Sequence, residues 1–115
     1  MPSPPLAPDD GPINLEHLKR MTLGDARLTR EVLAMFVSQT ARLIEALDAE
    51  PARLAALAHT LTGSARAIGA FRVADAAEAL ERIVQAGGDP AEARAALKAA
   101  VDDVCAAIDA MLGRS

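Results

Sequence analysis

"LAHTLTGSARAIGA", Leu57–Ala70, places one of the chain's two histidines in a stretch that reads as a helix but surrounds that histidine with small side chains. At about 100° per residue, Leu54, Leu57, Ala58, Leu61, Ala65 and Ile68 gather on one stripe suited to a core. His59 falls well over a quarter-turn from the centre of that stripe, with Ala52, Ala55, Ala56, Gly63 and Arg66. A solvated helix face normally carries Lys, Glu, Arg and Gln; this one carries methyl groups and, at Gly63, no side chain at all. A mid-helix glycine costs ~1 kcal/mol relative to alanine, which suggests that the space it leaves one turn from the imidazole is useful. A smooth face with a reachable histidine suits a second protein that brings its own reactive group. Alanine-rich helices and exposed histidines are also common as plain surface, and the pattern alone leaves both readings open.

Working outward, Gly69 is placed to end this helix in a left-handed cap. A further helix follows from about Phe71 to Ala86, with Val73, Ala77, Leu80 and Val84 on one side, and Gly87 and Gly88 stop it. Asp89 and Pro90 form a cap and a first-turn proline for a last helix in which Leu97, Val101, Val104, Ile108 and Met111 recur. Upstream, Asn14 caps a short helix over "LEHLKRM" that ends before Gly24. Asp25 caps a long helix to about Leu47, with Leu28, Val32, Phe36, Leu43 and Leu47 at helical spacing. Asp48 and Pro51 punctuate the next boundary, Pro51 sitting at a first-turn position of the helix that carries "ARLAALAHTLTGSARAI". Short connections favour antiparallel neighbours. The expected fold is therefore all-α, an antiparallel up-down-up-down four-helix bundle with a short extra N-terminal helix. Residues 1–12, rich in proline, are expected to be a disordered leader, and 13–115 a single domain.

Composition agrees and narrows the function. The 115 residues include no Trp or Tyr, and Phe36 and Phe71 are the only aromatics, which favours packed helices over sheets. A formal charge of -4 argues against a nucleic-acid surface. Cys105 is the only cysteine, and no Cys/His spacing suits a metal, so a reducing cytoplasm is the expected location. The opening "MPSPPLAPDDGP" has no signal-peptide pattern and no run is long enough to span a membrane. Heavy use of Ala and Arg over Lys hints at a GC-rich genome, and the source is expected to be bacterial. His17, with no clustered partners along its short helix, reads as a surface residue.

"AHTLTGSARAIGA" resembles the signature of histidine-containing phosphotransfer (HPt) domains of multistep phosphorelays, in an approximate pattern A-H-x-L-K-G-S-x-x-x-G-A. The matching positions are Ala58, His59, Leu61, Gly63, Ser64, Gly69 and Ala70. "GDARLTREVLAMFVSQT" and "ALERIVQAGG" resemble neighbouring helices of the same family, so the likeness covers Ile13 to Leu112. It implies a bundle that accepts a phosphoryl group on His59 Nε2 from an aspartyl phosphate on one receiver domain and passes it to the aspartate of another. Its partners would be the receiver of a hybrid histidine kinase and that of a response regulator. The protein would be a monomeric phosphocarrier, not an enzyme turning over a small substrate. No cofactor of its own is implied; Mg²⁺ belongs to the partner receiver.

One position departs from the family. Where a lysine usually follows the histidine by three residues, this chain has Thr62. Arg66, two turns after His59 and near the same angle, is expected to supply the missing cation, with Thr62 and Gly63 lining the site and Ala52, Ala55 and Ala56 forming the docking face; pairing of Arg66 with a carboxylate is the plainer reading. The departure keeps an alternative in view, a receiver-docking bundle with weak or no transfer that sequesters its partner. A histidine-kinase dimerisation helix would need an acidic residue after the histidine and a proline beyond, and Thr60 and Ser64 do not fit. An autonomous hydrolase lacks a second histidine or carboxylate pair along the helix.

Overall fold

The computed structural model describes residues 11–113. Of the leader expected over residues 1–12, residues 1–10 lie outside the described residues. The described chain is all-α, with α1 Leu15–Met21, α2 Ala26–Ala49, α3 Leu54–Ile68, α4 Phe71–Gln85 and α5 Ala91–Met111. Local chemistry sets the boundaries. The Asn14 side chain accepts from the backbone N–H of His17, and that of Asp25 from Leu28, each at 2.9 Å, using up orphan donors of the first turn. Asp89 accepts from Ala91 N–H at 3.0 Å ahead of α5.

The long helices form a ring in which α2 packs on α3 and α5, α3 on α4, and α4 on α5. Cross-helix pairs fix two of the directions. Arg30 donates to the Leu112 carbonyl at 3.2 Å, Thr40 meets Cys105 at 3.7 Å and Lys98 reaches Asp48 at 2.8 Å. Residue numbers rise on α2 as they fall on α5, so the pair is antiparallel. His59 with Glu81 and Arg66 with Glu78 show the same for α3 and α4.

The core takes the whole expected stripe of α3, together with Val73, Ala77 and Leu80 of α4 and Leu97, Val101, Val104 and Ile108 of α5. On α2 the buried set is Leu33, Phe36, Thr40 and Leu47. Leu28, expected in that stripe, is 40% exposed, because the first turn of α2 directs Thr29 inward instead, its hydroxyl donating to the buried Thr22 at 2.8 Å. Met111 is likewise exposed, at the last turn of α5. Pro51 opens a separate 3-10 turn, Pro51–Arg53, and α3 starts only at Leu54.

The reversal between α3 and α4 is the tightest in the bundle. Gly69 has φ 86°, a left-handed conformation suited to glycine. The N–H of Ala70 reaches back to the Ala65 carbonyl at 2.8 Å. The short helix α1 is tied to this reversal, with Asn14 N–H donating to the Gly69 carbonyl at 2.9 Å. His17 corrects its reading as a surface residue. It is half-buried, its Nε2 lies 3.1 Å from the Ala67 carbonyl, and its ring stands edge-on to Phe71 with centroids 5.2 Å apart. Its partners come from α3 and α4, 50 or more positions along the chain, so a scan along α1 does not find them.

A β-carbon at Gly69 would lie 2.9 Å from the Asn14 carbonyl oxygen and 3.3 Å from the His17 side chain. Gly69→Ala therefore combines left-handed strain with a clash against α1, and is expected to cost about 1–3 kcal/mol. Urea denaturation should show a lower midpoint with little change in slope. An unchanged midpoint would mean that the junction is looser than its geometry.

Candidate functional site

The core stripe of α3 turns His59 outward. Its side chain is 76% exposed, on the edge of α3 that borders α4. There it meets a group from the other helix: Nδ1 lies 3.2 Å from one carboxylate oxygen of Glu81 and 3.3 Å from the other. Glu81 is much less exposed, at 19%, and also accepts from Gln85 at 3.5 Å. A carboxylate is an acceptor only, so the imidazole proton that satisfies it sits on Nδ1. Nε2 is then left with its lone pair. The arrangement makes a neutral histidine a nucleophile at a defined atom.

Two turns further along α3, and one turn back along α4, a second pair links the same two helices. Arg66 Nη2 donates to Glu78 Oε1 at 3.1 Å, and Arg82, also on α4, approaches the same oxygen at 3.6 Å. Arg66 thus takes the plainer of its two expected roles in the resting protein: its partner is a carboxylate and not the imidazole. Thr62, expected to line the site, is rooted at the edge of the core. It is 5% exposed and its hydroxyl donates to the Ala58 carbonyl at 2.9 Å. It sits between Ala58 and Ala65, both fully buried, so the position is rooted at the edge of the core, where a short side chain turns in.

Gly63 is exposed, and a β-carbon there would meet nothing within 4 Å. Packing does not require the glycine. Ala56 is exposed beside His59, and Ala55 is half-buried. Ala52 is exposed but belongs to the 3-10 turn, so helical spacing does not set its direction. Among the described residues, no group of three or more His, Cys, Asp or Glu side chains is placed to hold a metal ion, and no helix is long and apolar enough to cross a membrane.

Glu78, Glu81 and Arg82 escape a reading confined to α3. A signal for them existed. Gly69 and Ala70 leave almost no loop, so counting outward from the reversal in both directions sets His59 level with the region of Glu81.

The family model described as Hpt domain matches residues 31–112, which takes in most of α2 and all of α3, α4 and α5. Comparison with curated proteins and with solved structures returns no match.

Glu81→Ala removes the acceptor that selects the Nδ1–H tautomer. In ¹⁵N-resolved imidazole spectra near pH 8, His59 should shift its proton population from Nδ1 towards Nε2 while His17 keeps its signals. Unchanged His59 signals would show that Glu81 does not set the tautomer.

Proposed function

Because the chain belongs to the Hpt domain family, whose role is phosphotransfer in two-component signalling, we propose that it carries a phosphoryl group on His59 Nε2 between receiver-domain aspartates. The observation that supports this most directly is the exposed imidazole with Nδ1 held by Glu81. In the transfer step, the Nε2 lone pair attacks phosphorus in line, the bond from phosphorus to the aspartyl oxygen breaks, and the receiver carboxylate leaves. The proton stays on Nδ1, so the phosphorylated ring is cationic and faces the Glu81 carboxylate. The reverse step returns the group to an aspartate, with no proton taken up or lost.

The bundle needs no base for this step, and it acts as a carrier without turnover of its own. Mg²⁺ in the receiver's acidic pocket would supply charge at phosphorus. Gly63, Ala56, Ala55 and Ala52 form the docking face on this reading, where the lack of long side chains lets a receiver approach Nε2 closely. Arg66 replaces the usual lysine as the nearby cation. The partners are the receivers of a hybrid kinase and of a response regulator, met by a monomer in a bacterial cytoplasm. Thr62 favours a second reading, since its hydroxyl is committed to Ala58 and leaves no charge there: a bundle that binds a receiver, transfers slowly and sequesters it.

Mixing the purified protein with phosphorylated receivers should give an acid-labile, base-stable label. His59→Gln should abolish that label while helicity and melting temperature stay nearly unchanged, since an exposed side chain contributes little to stability. A label that survives the substitution would remove His59 from this role. Receiver binding without any label on the parent protein would select the second reading.

Gly63→Gln should raise stability by up to ~1 kcal/mol through helix propensity and slow transfer by obstructing the docking face. Parent-like transfer by the more stable variant would show that the open space is not used.

A further inference from the structure

Arg66, Glu78 and Arg82 form a bracket whose geometry goes beyond an ordinary surface pair. Glu78 Oε1 accepts from Arg66 at 3.1 Å and faces Arg82 at 3.6 Å, so one carboxylate serves two guanidinium groups. The antiparallel register with His59 opposite Glu81 puts Glu78 opposite position 62. Helical side chains lean towards their own N-terminus, and that of Arg66 leans towards His59. Its long side chain reaches back along α3 in the direction of the histidine, while that of Glu78 leans the other way, towards the reversal, to meet it.

We infer that Arg66 is an exchangeable cation: when His59 becomes phosphorylated, its guanidinium leaves Glu78 for the phosphoryl oxygens, and Arg82 stays behind as the counter-ion of Glu78. The inference rests on the reading of His59 as the phosphorylated residue. The exchange has little to hold it back, because Arg66 and Glu78 are 51% and 41% exposed and such pairs contribute little to stability. A dianionic phosphoryl group attracts a guanidinium more strongly than a carboxylate at the same distance and offers a bidentate fit. Without Arg82, leaving would strand Glu78 beside a second, doubly charged anion. Arg82 is thus a positioning residue that acts through Arg66 and touches no reacting atom. Glu81 is the other carboxylate at the site, and it stays with the cationic ring.

The test uses the full chain phosphorylated by phosphoramidate, in which Nε2 displaces ammonia from phosphorus and the Nδ1 proton stays in place. The ³¹P signal is then titrated with pH at about 0.15 M salt, where distant charges are screened. A guanidinium on the phosphoryl group favours its dianion, so the parent should titrate at lower pH than Arg66→Ala. Arg82→Ala should also move the titration upward. Glu78→Gln in the Arg82→Ala background should bring it back, because Arg66 is then free. The deciding comparison is non-additivity: in an Arg66→Ala background, Arg82→Ala should have no further effect. A parent-like titration for Arg82→Ala, or equal shifts with and without Arg66, would overturn the exchange. Failure to find phosphohistidine at residue 59 by mass spectrometry would instead refute the reading of His59, and the exchange with it.

Discussion

The left-handed turn at Gly69 fixes the geometry on which the site depends. With one residue between the end of α3 and the cap of α4, the two helices have almost no freedom to slide, and the register of their facing edges follows from the turn. That register sets Glu81 against His59 and Glu78 against Arg66. The short α1 secures the turn from outside, through Asn14 on the Gly69 carbonyl and His17 on the Ala67 carbonyl. His17 is thus structural, and it steadies the reversal that orients His59.

Outward placement of His59 has a cost that the rest of α3 absorbs. A helix with Gly63 in its middle and no side-chain cap at its start gives up local stability. Leu54, Leu57, Leu61 and Ile68 are all buried, and burial of an aliphatic side chain of that size contributes roughly 1.5–3 kcal/mol, so packing outweighs propensity. Thr62 fits the same account. At the boundary of the core, it bonds back to Ala58 and adds to the packed side, leaving charge at the site to longer side chains rooted further away.

Much of the fold could be read from the sequence because its signals are local. Asn14 and Asp25 cap where a polar residue precedes a periodic run, Gly69 ends α3, and the apolar spacing of α3 and α5 identifies their buried faces. Leu28 misleads because helical spacing alone cannot show that the first turn of α2 directs Thr29 inward, onto the buried Thr22. The 3-10 turn at Pro51 shifts Ala52 off a face computed at α-helical pitch. At the site, His59 and Gly63 were legible, each being unusual on its own helix. Glu81 and the partner of Arg66 were not legible along α3, because they depend on the register between two helices. Thr62 shows the converse: family likeness marks the position, but only packing shows that its hydroxyl turns inward.

A carboxylate beside the proposed phosphoryl acceptor poses an electrostatic question, and the geometry of the imidazole answers it. Glu81 contacts Nδ1, while the proposed phosphoryl group would sit beyond Nε2, on the other side of the ring. The carboxylate is thus in hydrogen-bond contact with the charge it favours, the ring proton, and separated by the ring from the charge it opposes. His59 is 76% exposed, so water screens the longer interaction more effectively than the direct contact. Attraction between Glu81 and a cationic phosphoimidazole ring should therefore outweigh repulsion between Glu81 and the phosphoryl oxygens. On the proposed reading, the same carboxylate that leaves the Nε2 lone pair free before transfer would also help to hold the product, as a carrier that both accepts the group and gives it up requires.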